Sequence, residues 1–502
     1  MQTVLAAIEA ALAPVIGGIN AVLWDYVLVY GLLAVGLYFT VRLRGLQVRR
    51  FGHMLHVIGR GTDGDAAGIS PFQALCTSLA SRVGTGNLAG VAIALSLGGP
   101  GALFWMWCTA ALGMATAYAE SALAQLYKVR DEKGQYRGGP GYYMARGLKA
   151  PWLGVAFSVC LVFSYGLIFS SVHANAIALS MEAAFGFTDA QVATGLVLLT
   201  AVIIFGGLRS VARVAEWVVP VMAVGYLGLA LWVVLTNITE VPAALALVLR
   251  SAFGLEPAVG GVLGGLAAAM LNGVKRGLYS NEAGMGSAPN VAAAATPVPH
   301  HPASQGLVQS LGVFIDTLLI CTATALVILL SGVLAEGNAD GVVITQRAMT
   351  VFFGEAGTYF VAIALFFFAF TTILGNYSYA ESGLLYLGGG RKGLLALRLA
   401  ALGVITWGVH AQVPLVWNAA DAAMAMMATL NLVALLGLSG VVVKLTRDYE
   451  GQLRTGRSPV FHAADYPELG EGIDRSIWRD PDAGVRDSGG APATPAPSPP
   501  RG

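Results

Sequence analysis

Apolar residues run through this chain in blocks longer than any amphipathic helix face requires. The blocks fall at about 22–41, 71–97, 101–127, 153–182, 191–208, 213–236, 259–295, 306–333, 358–387, 393–411 and 415–444. At about 1.5 Å of rise per residue, segments of this length cross a hydrocarbon layer about 30 Å thick. The pattern predicts an all-α polytopic membrane protein with about eleven transmembrane helices. Two further apolar stretches, Val241–Phe253 and Val342–Phe353, are short, and they predict connectors lying on the membrane surface.

Two of the eleven spans are interrupted. The second contains Ser81–Gly90, SRVGTGNLAG, and the seventh contains Lys275–Pro289, KRGLYSNEAGMGSAP. Glycine weakens a helix interior, and free peptide groups at membrane depth persist only where they line a buried or hydrated cavity. A helix broken there presents N–H groups and carbonyls side by side, so that backbone alone can hold an anion and a cation. The interruptions lie about half the chain apart, the spacing expected of an internal repeat of several helices.

Charge gives these spans a direction. Arg42, Arg44, Arg49, Arg50 and Arg60 lie in one connection, and Lys128, Arg130, Lys133, Arg137, Arg146 and Lys149 in the next but one. The same side continues with Arg209 and Arg213, Arg391 and Lys392, and Lys444 and Arg447, whereas the alternate connections carry only Arg250 and Arg347. The rich side is read as cytoplasmic, which puts the N-terminus outside and the C-terminus inside a cell membrane. Only 11% of the 502 residues are charged, against about 25% in soluble chains. A net charge of +1, with no basic cluster interleaved with aromatics, gives no case for nucleic-acid binding. Cys76, Cys108, Cys160 and Cys321 sit far apart inside apolar runs, as buried thiols do. Residues 1–20 contain no Lys or Arg and read as an amphipathic surface helix, not a cleaved leader. From about residue 480 the Pro-, Ala- and Ser-rich tail predicts disorder.

Ionisable groups inside the spans are few and costly. Arg82 abuts the first interruption; Lys275, Arg276 and Glu282 flank the second; Glu120 and Asp316 lie in the third and eighth spans. For Arg276 and Glu120, local pairing is as good a reading as an ion path. Asp316 admits two readings, a Na⁺ ligand or the partner of a basic residue. Thr371 and Thr372 either bond back to the preceding turn or supply oxygens to a small hard cation. His173, with Asn175 nearby, reads first as a packing residue and second as a proton relay. No catalytic pair and no Walker A sequence occurs, so the chain reads as neither an enzyme nor an ATP-driven pump.

The runs SRVGTGNLAGVAIALSLGGPGALFWMW, KRGLYSNEAGMGSAP and QGLVQSLGVFIDTLLICTAT resemble the alanine or glycine:cation symporter family, and the likeness extends from about Gly68 to Leu445. It implies a leucine-transporter-like inverted five-helix repeat with broken helices 2 and 7, preceded by one extra helix. The implied organisation is a surface segment, first helix and loop over 1–67, a first repeat over 68–255, a second over 256–446 and a tail over 447–502.

The same resemblance implies a binding site. The freed amides of Thr85 and Gly86 would receive a substrate carboxylate, and groups at Ser280, Asn281 and Glu282 its ammonium. One Na⁺ would use the Ala80 and Val83 carbonyls with the Thr371 and Thr372 hydroxyls; Asn87 and Asp316 are candidates for a second. His173 stands where the family pattern has glutamine and Asn376 where it often has an aromatic, which makes the pocket more polar than alanine needs. The expectation is a Na⁺-coupled importer of a small neutral amino acid, alanine or glycine first, serine or glutamine as alternatives. A proton-coupled carrier using His173 or Asp316 is the nearest rival, and a channel a remoter one.

Overall fold

A computed structural model describes residues 2–61, 65, 67–255, 261–336 and 341–478. Helices account for almost all of the described chain, and the β-structure is confined to a two-residue hairpin, Val129–Arg130 with Tyr136–Arg137, and one isolated bridge. In chain order the main helices are α1 (Ala13–Arg42), α2 (Pro71–Arg82), α3 (Gly86–Gly98), α4 (Ala102–Leu126) and α5 (Pro151–Phe185). They continue with α6 (Asp189–Ile204), α7 (Leu208–Thr236), α8 (Val241–Ala252), α9 (Gly261–Asn281), α10 (Pro289–Ala294) and α11 (Pro302–Ser331). The last are α12 (Val342–Phe353), α13 (Glu355–Tyr386), α14 (Arg391–His410), α15 (Val413–Gly437) and α16 (Ser439–Arg454). Among the described residues, eight helices are long and apolar enough to cross a membrane: α1, α4, α5, α7, α11, α13, α14 and α15. This is a multi-pass membrane protein.

Local chemistry sets the ends of these helices. Ser70 caps α2, accepting from the Gln73 amide while the Gln73 side chain accepts from the Ser70 amide, and Pro71 occupies the first helical position. Thr188 and Gln191 form the same reciprocal cap at the start of α6. On α7 the outward residues Trp217, Val221 and Val224 are 72–74% exposed. That face is tolerable only because hydrocarbon, not water, bathes it.

Small residues let the inner helices approach closely. A Cβ at Gly408 on α14 would lie 2.6 Å from both the Cα and the carbonyl oxygen of Ser171 on α5. Alongside, Asn175 donates to the carbonyls of Gly408 and Ala411. Asn175, read from sequence beside His173, is thus a packing residue that ties α5 to α14.

One feature differs from the sequence reading and two refine it. The surface helix expected over residues 1–20 is not separate: Gln2–Leu23 continues through a π-helical turn, Trp24–Leu28, into Val29–Arg42. The first interruption lies at Val83 and Gly84, inside the Ser81–Gly90 stretch and at the first of its glycines, and the chain resumes as a π-helical turn at Gly86–Gly90. Part of the tail is ordered, residues 455–478 folding back against the protein; the stretch expected to be disordered from about 480 lies outside the described residues. The short connectors α8 and α12 are helical, as the pattern predicts.

Replacing Gly408 by alanine is expected to destabilise the protein by about 1–3 kcal/mol through overpacking against Ser171. Thermal unfolding of the purified variant in detergent checks this, and an unchanged midpoint would show that α5 and α14 can part without cost.

Candidate functional site

The second span comes apart because its first half, α2, ends at Arg82, with Val83 leaving helical conformation at ψ 86°. The seventh comes apart at Glu282, a non-glycine residue with φ +57°, followed by Gly284 and Gly286 at φ +88° and +82°. Each gap exposes the last carbonyls of one half-helix and the first amides of the next. The two gaps face each other. A Cβ at Gly86 would lie 3.0 Å from the Tyr279 ring and 3.2 Å from the Ser280 Cα, and one at Gly84 would lie 2.3 Å from the Thr372 hydroxyl. Glycine is required there for backbone to pass this close.

Around the gaps stand three polar groupings. In the first, the Thr372 hydroxyl lies 2.8 Å from the Ala80 carbonyl, 3.5 Å from that of Val83 and 2.8 Å from that of Phe368. A hydroxyl carries one proton and cannot serve three acceptors, so oxygen lone pairs are in surplus, the condition that suits a hard cation. Thr371 is not brought into this group: its hydroxyl donates back to Phe367 and Phe368 and faces Met222.

The second grouping centres on Asp316, in a π-helical stretch, Phe314–Cys321, within α11. The Asn87 amide donates to its Oδ1 at 2.7 Å, while the Ser280 and Thr317 hydroxyls each donate to Oδ2 at 2.6 Å. The carbonyl end of Asn87 accepts from the Gly84 amide at 2.9 Å, which fixes the orientation of the side chain. Asn87 therefore links the first gap to the eighth span. The sequence placed Ser280 with Asn281 and Glu282; the structure separates it from them.

The third is built on Glu282. Its Oε1 accepts from Ser81 at 3.0 Å and Tyr165 at 2.9 Å, and its Oε2 from Ser287 at 2.8 Å. Asn376 joins through Ser81, 3.0 Å away, while its Nδ2 has no protein partner. Asn281 accepts locally from the Ala283 amide, and its Nδ2 is likewise unpartnered. On the opposite side His173 Nδ1 lies 2.8 Å from Thr85 Oγ1, which is 3.2 Å from the Tyr279 hydroxyl. Thr85, Gly86, His173 and Asn376 are all buried at the gaps.

Beyond Tyr279 the site is closed by an ion pair. Arg276 Nη2 sits 2.6 Å from both oxygens of Asp421 on α15, and the guanidinium stacks 4.7 Å from the Trp417 ring. Glu120 is held locally, accepting from Asn431 at 2.8 Å and from the Gly284 amide at 3.3 Å, so it braces the second gap. Both outcomes favour local pairing over an ion path. Sequence reasoning passed over Asp421, a carboxylate inside the apolar α15 and so open to the same test as Asp316. Tyr165 and Ser81 carried no signal, since aromatic and small hydroxyl residues are ordinary in such spans.

Apolar outer faces thus enclose two helix gaps and the polar groups gathered at them, the interior of a multi-pass membrane protein. The comparisons give the family. The model of the sodium:alanine symporter family matches residues 9–463, and the chain belongs to that family. A probable sodium/glutamine symporter of Bacillus subtilis is 44% identical over 455 residues, 90% of this chain and 94% of the relative. A putative sodium/proton-dependent alanine carrier of the same organism is 43% identical, covering 90% and 95%. A sodium/alanine symporter of Methanococcus maripaludis is 40% identical, covering 86% and 96%.

The two threonines separate by prediction. Thr372→Ala is expected to weaken the stabilisation of the purified protein by Na⁺ at least about tenfold in apparent affinity, the effect of losing one bond to a charged group. Thr371→Ala is expected to leave it within about twofold, as for a hydroxyl that bonds only its own helix. Thermal-shift titrations with NaCl against choline chloride read both, and the reverse ranking would rule out the Thr372 cage.

Proposed function

We propose that this protein is a secondary active symporter that imports a small neutral amino acid, alanine or glycine first, on the Na⁺ gradient. The observation that carries the reading is the facing pair of helix gaps, with surplus acceptor oxygens at the end of α2 and amides at the start of the next half-helix. The substrate carboxylate takes the Thr85 and Gly86 amides, where the half-helix dipole favours an anion. Its ammonium takes the side of Glu282, whose carboxylate is the nearest anionic group of the second gap. Na⁺ takes Ala80, Val83 and Thr372, without Thr371; Asn87 and Asp316 serve a second cation.

The eleven-span topology, with the N-terminus outside and the basic loops in the cytoplasm, belongs to this reading. So does an inverted repeat of spans 2–6 and 7–11, with one gap in the first helix of each. Coupling follows from shared structure. Na⁺ draws Ala80 and Val83 toward Thr372, the carboxylate draws Thr85 and Gly86 toward the pocket, and both order the same short gap. Each ligand thereby raises the affinity of the other. Closure on the outer side comes from Arg276, Asp421 and Trp417, and on the inner side from the bridge between Ile69 and Ala295.

One observation favours a broader substrate. His173 and Asn376 border the pocket, and the Asn376 amide has no protein partner, a donor suited to a serine hydroxyl or a glutamine amide. Relatives named for glutamine and for proton-dependent alanine transport accord with that variant and with proton coupling.

In proteoliposomes, an inward Na⁺ gradient is expected to drive accumulation of alanine or glycine above the outside concentration, with loss of accumulation when choline replaces Na⁺ at fixed pH. Uptake that ignores Na⁺ but follows a pH gradient, and fails in Asp316→Asn, would replace Na⁺ by protons. Flux without accumulation would indicate a channel. A thermal-shift panel of alanine, glycine, serine and glutamine with and without Na⁺ ranks the substrates.

A further inference from the structure

The basic face of the molecule carries a device that the site does not explain. Past α16 the chain turns back, and residues 461–478 reach the end of α4 at Leu126, the connection before α11 at His300, and α16 at Lys444. The Phe461 amide donates to the His300 carbonyl at 2.9 Å, and the Ala463 amide to the Trp478 carbonyl at 3.2 Å. Phe461, Ile473, Ile477 and Trp478 are buried, with Phe461 and Trp478 meeting edge-on at 5.5 Å. The Trp478 indole donates to the Leu126 carbonyl at 3.1 Å, at the end of α4. The segment is anchored apolar structure, not a loose end.

Beneath it lies Lys128, wholly buried. Its ammonium stands 3.8 Å from the Tyr136 ring and 5.3 Å from the Trp478 ring, and donates to the Ala295 carbonyl at 2.9 Å. Gln125 donates to the same carbonyl at 2.9 Å. Ala295 follows α10, the inner half of the broken seventh span, and pairs with the start of the second. The Ile69 amide donates to Ala294 at 3.1 Å, and the Thr296 amide to Ile69 at 2.9 Å. Trp478 thus covers the residue that pins the inner ends of the two broken spans to α4. Burial pushes Lys128 well below the usual lysine range, with Asp65 acting the other way. The family match ends at residue 463, so most of the segment lies beyond it.

We propose that residues 461–478 form a strap that holds the inner ends of the second and seventh spans closed, and that it must lift for the inner gate to open. The inference rests on the transporter reading, but its structural half does not depend on any substrate. When the strap is docked, Trp478 shields the tie from Lys128 to Ala295 from water, where a hydrogen bond is strongest. When it lifts, water competes for the ammonium and the carbonyl, and the bridge from Ile69 to Ala295 loses its brace. Lys444 and Glu468, 2.8 Å apart and about half exposed, mark the rim where the strap meets α16.

Two measurements test this on the full chain in detergent and in proteoliposomes. Hydrogen exchange at the Ile69 and Thr296 amides is expected to quicken at least about tenfold in Trp478→Ala and in a chain ending at Val460, with amides of α13 unchanged. Unchanged exchange at both positions would overturn the proposal, and a general rise would show misfolding, for which Trp478→Phe, keeping the ring over Lys128, supplies the milder variant. In the second measurement, Lys444→Cys with Glu468→Cys is bridged by a short bis-maleimide, each single cysteine variant serving as control. Na⁺-driven uptake is expected to fall to background only in the bridged protein. Full uptake with the bridge in place would show that the strap need not move. Absence of uptake in the unmodified protein would count against the transporter reading instead, and the exchange measurement would still decide the strap.

Discussion

The constraint on which everything else here depends is that a peptide group inside a membrane must find a partner without water. Breaking two helices at mid-depth leaves carbonyls and amides that a bilayer cannot satisfy. The protein answers each by bringing another element to it: Thr372 to Ala80 and Val83, Asn87 to Gly84, Glu120 to Gly284. Helices α4 and α13 are as polar as they are on their inner faces because they answer for the two breaks. Where the protein supplies more acceptors than protons, the set is one that suits a cation.

Much of the fold was legible because membrane depth leaves so few options. Long apolar blocks had to be helices, and an SRVGTGN or SNEAGMG inside them could only be an interruption. Both interruptions lie where these runs place them, the first at Val83 and Gly84 within Ser81–Gly90. Glycine content marks where a helix is weak, while the exact break falls where the emerging carbonyls find a ligand, here Thr372.

Less of the site could be read. Spacing could not tell Thr371 from Thr372, since adjacent residues on a helix differ by about 100° in direction and only the neighbour decides which is used. Ser280 and Glu282, two residues apart, go to different carboxylate groupings for the same reason, because the chain leaves helical geometry between them. Tyr165 was invisible, being one aromatic residue among several in its span, and Tyr279, the one aromatic of the 259–295 block, gave no sign of the partner its hydroxyl would find in Thr85. The ordered part of the tail was missed because its apolar residues, Phe461, Ile473, Ile477 and Trp478, are spaced by turns and follow no helical or strand period.

Glu282 itself illustrates how function and backbone compete for one position. At φ +57° the chain would be better served by glycine or asparagine, either of which accepts left-handed geometry at smaller cost. Asparagine would even preserve an oxygen for the surrounding hydroxyls. What neither can provide is two acceptor oxygens for the three hydroxyls gathered at the bend, so the conformational preference has given way to that arrangement. A search for tolerated replacements at this position should therefore find variants whose backbone bends more readily than the natural chain's and whose surrounding elements are held together less firmly.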